Sequence, residues 1–181
     1  MKSFIYPEMM THIALCTNKD PKNVLIISNN AELLTKEIQK HENISSDIVD
    51  CNLNNLQNLN DNNYDVVICE MDANITLLKQ IDRLLKDDGQ LVLNSIDLNE
   101  VKKNKALMQL LGYFFKVIMP YNLGNSQRAL LSSKEYHPTA DIILQRADML
   151  DSLNYYNCDI HIAAFAMPNY IRKEYLGFIK N

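Results

Sequence analysis

Three short stretches of this chain are apolar without a break, and each is followed by a stretch with helical spacing. "NVLIIS" (Asn23 to Ser28) precedes "AELLTKEIQKH", and "YDVVICE" (Tyr64 to Glu70) precedes Leu77, Leu78, Ile81, Leu84 and Leu85. "QLVLNS" precedes "NEVKKNKALMQLLG". A strand that is apolar on both faces needs helices packed on both sides, and strands alternating with helices give a parallel sheet. "SDIVDC" reads as a further short strand. "YFFKVIMPY" and "ALLSS" read as a closing hairpin around Gly124, Asn125 and Ser126. The expected architecture is therefore an open α/β sheet, mostly parallel, with an antiparallel edge. Gly89 is expected to stop the second of these helices from the C′ position, and Gly112 to close the third.

At 181 residues, the chain suits a single domain. Net charge is −4 and the Lys and Arg residues are scattered, which disfavours a nucleic-acid surface. No run approaches the roughly 18 apolar residues of a membrane span. "MKSFIYPEMM" lacks the pattern of a signal peptide. Cys16, Cys51, Cys69 and Cys158 form no close pair, so neither a zinc knuckle nor a CxxC redox motif is expected. Free thiols fit a reducing, cytoplasmic setting. "NLNNLQNLNDNN" is asparagine-rich, and its leucines at i+3 allow a short helical turn or a polar connection.

In a sheet of this kind, ligands sit beyond the carboxyl ends of the strands. That singles out Ser28, Asn29 and Asn30, the region of Asp50 and Asn52, and "CEMDAN" with Glu70 and Asp72. Two carboxylates at a strand end fit either a solvated loop that caps a helix or a pair that holds a cation. The first place lacks the glycines that let a backbone approach a nucleotide closely. "YYNCDIHIAAFAMP" (Tyr155 to Pro168) reads as the start of a helix placed over something else.

Taken together, these pieces resemble the spermidine synthase family. "YPEMMTHIAL" (Tyr6 to Leu15) is similar to its YxEMxxHxxL motif, and "YDVVICEMDAN" to its YDVIxxDSSDP segment. "YYNCDIHIAAFAMP" is similar to its closing YYNxxIHxAAFxLP, the most specific of the three. The resemblance implies a Rossmann-like, S-adenosylmethionine-dependent methyltransferase-type fold. A single domain is expected over 1–181, with a leading helical segment at 1–22 and a C-terminal helical closure at 151–181. It implies transfer of an aminopropyl group from decarboxylated S-adenosylmethionine to putrescine, with no tightly bound cofactor and no metal. Glu70 falls on the first catalytic aspartate. The second falls on Ala73, leaving Asp72 as the substitute. Tyr6, His12, Tyr155 and Tyr156 are the expected amine-binding residues, and Ser28, Asn29, Asn30, Asp50 and Asn52 the expected adenosyl-binding residues. For His161, Ala163, Ala164 and Phe165, packing is expected instead.

The chain also departs from the family. Ser28 to Glu32 replace its GGGDG loop, Pro7 replaces a ligand-contacting residue, and about one strand–helix unit is missing between His41 and Tyr64. No segment matches the family's small N-terminal β domain. Two readings follow. An active aminopropyltransferase would turn Glu70, Asp72 and the tyrosines towards one cleft. A non-catalytic, polyamine- or partner-binding relative would fill the adenosyl pocket with Asn29, Asn30 and Glu32. A methyltransferase for another small substrate ranks third. A homodimer, or pairing with a related subunit, is expected, with Tyr113 to Tyr121 as one candidate interface.

Overall fold

The computed structural model describes residues 2–124 and 127–181, and side chains throughout except at positions 95 and 96. The chain runs α1 (Ile5–Thr17), β1 (Asn23–Ile27), α2 (Glu32–Ile38), β2 (Ser45–Val49), α3 (Leu53–Leu56), β3 (Tyr64–Cys69) and α4 (Ile75–Leu84). It continues through β4 (Leu85–Ile96), α5 (Val101–Leu111), β5 (Val117–Asn122), β6 (Arg128–Ser133), α6 (Leu144–Asp148), α7 (Cys158–Ala164) and α8 (Asn169–Glu174). The strands form one sheet in the order β2-β1-β3-β4-β6-β5. The first four are parallel, and β6 enters antiparallel between β4 and β5. This is the expected mostly parallel sheet with an antiparallel hairpin.

Side-chain alternation sorts the apolar strands into two cores. Val24, Ile26, Val66, Ile68 and Val92 face α1, α2 and the segment carrying Tyr156 and Phe165. Leu25, Ile27, Val67, Cys69 and Leu91 face α4, α5 and Tyr175. Every residue of β3 is buried, as a strand covered on both faces requires. Ile68 is fully buried on the α1 side. Ile68→Ala should therefore cost about 3 kcal/mol, measured by urea denaturation, because a buried cavity adds to the lost transfer energy.

α1 is buried from Pro7 to Thr17, so the motif "YPEMMTHIAL" forms an interior helix. Its polar residues Glu8, Thr11 and His12 are fully enclosed. "NLNNLQ" does make the short turn α3, capped by the Asn52 side chain, which accepts the Asn54 N–H.

Gly89 does not close α4. That helix ends at Leu84, and Leu85 turns directly into extended backbone and joins β4. The register jumps from Tyr64–Leu85 to Val66–Gln90, so the residues between loop out of the ladder. A Cβ on Gly89 would stand 2.8 Å from Leu85 Cδ2, so the glycine serves close packing within that bulge. Gly112 does follow α5, though in ordinary right-handed helical geometry.

The hairpin turn expected at Gly124, Asn125 and Ser126 lies partly outside the described residues; Gly124 itself has φ +74°. β5 begins at Val117, four residues later than the run "YFFKVIMPY" suggested, and Tyr113 is exposed. Val117, Ile118, Met119 and Tyr121 are buried. The outer side of β5 is met at Ile118 by the C-terminal tail, through reciprocal backbone bonds with Lys180 of 2.8 and 3.0 Å. Among the described residues, no helix is long and apolar enough to cross a membrane.

Candidate active site

The carboxyl ends of β1 and β3 meet at Glu70. Its backbone N–H donates to Ile27 O at 2.9 Å, which pins the residue just past both strands. Its side chain then receives two hydroxyls. Tyr6, from the first turn of α1, donates to Oε1 at 2.5 Å. Ser28, directly after β1, donates to Oε2. Burial, then the hydrogen bond and charge of Glu70, push the Tyr6 phenol well above its ordinary value. It therefore stays protonated and a donor at neutral pH.

Asn94, near the end of β4, lies close enough to the Tyr6 hydroxyl to oppose that rise in part. The same Asn94 lines a cavity of about 410 Å³ between the ends of β3 and β4 and helix α5. Asp72 and Ala73 both stand in the wall of that cavity. Glu100 and Lys103 close the far side and pair with one another at 3.1 Å. Tyr6 and Glu70 thus pair at the β1–β3 junction, while Asn94 and Asp72 stand in the wall of the neighbouring cavity.

The loop after β1 is fixed by side chains. Ser28 is nearly enclosed, and its Oγ accepts the Asn30 N–H at 2.9 Å. Asn29 Oδ1 accepts the Cys51 N–H at 2.9 Å, tying the end of β1 to the loop after β2. Asp50 and Asn52 occupy that second loop, where the Asn52 amide oxygen caps α3. Glu32 does not enter the loop; it pairs with Lys36 at 2.6 Å on the exposed face of α2.

The closing tyrosines separate. Tyr155 is half-buried, and its hydroxyl lies 2.5 Å from where a Cβ on Gly124 would stand, beside Ile5. It therefore flanks the start of α1, next to Tyr6. Tyr156 lies in the core, where its hydroxyl meets His161 Nδ1 at 2.7 Å. His161 Nε2 donates to Pro138 O at 2.9 Å, so Nδ1 is the acceptor and Tyr156 the donor. His12 is enclosed too. His12 Nε2 donates to Glu37 at 2.9 Å, and Nδ1 accepts from His41 Nε2 at 2.9 Å. Its ring stacks obliquely on Tyr156 at 5.1 Å. The structure thus brings Tyr6, Ser28 and Glu70 together, sets Tyr155 and Asp72 nearby, and places His12 and Tyr156 in the packing behind them. His161, Ala164 and Phe165 pack as expected, whereas Ala163 faces out. Asn157 caps α7 by accepting the Ile160 N–H at 2.8 Å.

Glu8 is the residue that sequence reasoning passed over. It is fully buried, and its carboxylate accepts the backbone N–H groups of Asn154, Tyr155 and Tyr156 at 3.0, 2.8 and 2.9 Å. The signal was present: an acid within an otherwise apolar helix must find donors.

The spermine/spermidine synthase domain family matches residues 3–81. The polyamine aminopropyltransferase of Helicobacter pylori strain G27 is 28% identical over 212 aligned positions, which cover 99% of this chain and 80% of the relative. That of Clostridioides difficile strain 630 is 26% identical, covering 94% and 78%. In both alignments the relative carries residues within the matched span that this chain lacks. Among solved structures, the spermidine synthase of Thermotoga maritima superposes with a TM-score of 0.81 at 20% identity, over 95% of this chain and 74% of the other. A spermidine synthase in complex with the transition state analogue AdoDATO gives 0.82 at 20% identity, covering 95% and 75%. A phosphoethanolamine N-methyltransferase from Haemonchus contortus superposes less well, at 0.55 and 18% identity, over 86% of this chain and 42% of the other. Along nearly its whole length the chain is similar in sequence to polyamine aminopropyltransferases and in fold to spermidine synthases.

Proposed function

We propose that this protein transfers an aminopropyl group from decarboxylated S-adenosylmethionine to putrescine. The observation that carries the reading is Glu70, a carboxylate fixed by two hydroxyls at the β1–β3 junction, two residues before Asp72 in the cavity wall. In this transfer an amine nitrogen attacks the methylene next to the sulfonium. The new C–N bond forms as the C–S bond breaks, the electron pair stays on sulfur as methylthioadenosine leaves, and the new ammonium loses a proton.

Such a reaction asks mainly for positioning. A carboxylate has about four lone-pair sites, and Tyr6 and Ser28 use two. The rest are available to orient the attacking amine and accept its proton, which suits general-base work. Asp72, on the cavity wall, would hold the far ammonium of a diamine. Tyr155 offers an aromatic wall to the same cations. Ser28, Asn29, Asn30, Asp50 and Asn52 would line the adenosyl side. The four free cysteines fit a reducing cytoplasm, and a homodimer or a pairing with a related subunit would complete the cleft.

The test is incubation with both substrates and detection of spermidine and methylthioadenosine by mass spectrometry. Equal amounts of the two products are expected. Absence of both from folded protein would remove this reading.

One observation favours a second reading. The Ser28 hydroxyl occupies Glu70, and the Asn29 amide bridges to Cys51, so the loop is closed by side chains where the family keeps glycines. A protein that keeps the amine side and has lost the adenosyl side would bind putrescine yet give no product.

A further inference from the structure

We propose that Glu8 is a positioning residue, a buried latch that holds the Tyr155 wall of the cleft against the Tyr6–Glu70 wall. The inference rests on the amine-binding reading of that cleft. α1 carries both contacts within three residues: Tyr6 reaches forward to Glu70, and Glu8 gathers three consecutive backbone amides of the closing segment. Those amides lie 146 to 148 residues further along the chain. Three N–H donors converging on one enclosed carboxylate fix the segment's height and rotation together. Tyr155 is the middle donor, so the direction of its side chain is set by the latch. That direction carries the phenol to Gly124 and Ile5, beside the α1 turn that presents Tyr6.

The latch explains why the first and last motifs of the chain belong together. A carboxylate accepting charge-assisted bonds from backbone holds more firmly than a neutral acceptor. Glutamine at this position keeps the shape but turns one acceptor into a donor that faces N–H groups. Aspartate keeps the charge and shortens the reach. α7, capped separately by Asn157 and anchored through His161 to Pro138, keeps its own supports in either variant. The effect is therefore confined to the segment that Glu8 holds.

The experiment has two arms. The first is amide hydrogen exchange in the full chain without ligand. Glu8→Gln should speed exchange at residues 154–156 by at least about tenfold, while β1 and β3 stay protected. The second is calorimetry with putrescine on the wild type, Glu8→Gln, Tyr155→Ala and the double variant. Glu8→Gln should weaken binding about tenfold and be non-additive with Tyr155→Ala, because the latch acts through that tyrosine. Glu8→Asp should recover part of the affinity, and it replaces Glu8→Gln in the cycle if the latter does not fold. Unchanged exchange at 154–156, or additive losses, would overturn the proposal. If the wild type binds no putrescine, the amine reading fails, and the exchange arm alone decides the latch: lost protection upholds it and retained protection overturns it.

Discussion

Glu70→Gln is expected to lower kcat/KM for aminopropyl transfer by about a thousandfold, within the range that a positioned base contributes. The fold should survive. The amide oxygen can still accept one hydroxyl, so only the Tyr6 or the Ser28 contact is lost, at a cost of about 1–2 kcal/mol. Glu70→Asp is more informative. The shorter side chain keeps the charge but cannot span from Tyr6 to Ser28, so it should retain more activity than glutamine while releasing the loop after β1. Steady-state kinetics alongside thermal melts separate the two effects. A large drop in Tm with both variants would make Glu70 a structural residue.

The second large effect is acid sensitivity. Burial lowers the pKa of His161 to about 4 and that of His41 to about 3, and it lowers that of His12 as well. In the unfolded chain these rings take up protons near pH 6.5. Between that value and the folded pKa values the unfolded state binds more protons, so stability is full above about pH 7 and falls as pH drops. Each ring contributes about 1.4 kcal/mol per pH unit in that window. His161 and His41 alone should therefore remove about 4 kcal/mol between pH 7.5 and pH 5, a large share of an ordinary domain's stability. Glu37, whose pKa is lowered by the hydrogen bonds from His12 and Lys40 against the opposing cost of its burial, loses its contribution at still lower pH, in the same direction. Urea denaturation at pH 7.5 and pH 5 measures the fall. Equal stability at both values would mean that the rings are protonated in the native state.

These two predictions draw on residues that differ in how easily the sequence revealed them. Glu70 was legible because a charge directly after an all-apolar strand has only the sheet's carboxyl end to occupy. Its partner Ser28 was legible in place, though not in role. It stood out as a lost glycine, and only the fold brings its hydroxyl to Glu70. His12 and Tyr156 look like ligand-binding residues in the linear motif. The interior course of α1 turns His12 inward to His41 and Glu37, and Tyr156, its backbone N–H held by Glu8, turns inward to His161. Contacts over such separations are set by packing, and helical periodicity could not show that α1 is covered on every side. Gly89 misled for a related reason. Glycine after a helical run usually closes it, but here Leu85 had already left the helix to pair with Tyr64.

The central claim is that the junction of β1 and β3, centred on Glu70, holds a polyamine together with its aminopropyl donor. Calorimetry on the purified chain tests it most directly, with putrescine and decarboxylated S-adenosylmethionine titrated separately into the wild type and Glu70→Gln. Micromolar binding of both ligands to the wild type, with putrescine affinity lost in the variant, is the predicted result. Folded wild-type protein that takes up neither ligand, or putrescine binding that is indifferent to Glu70, would contradict it.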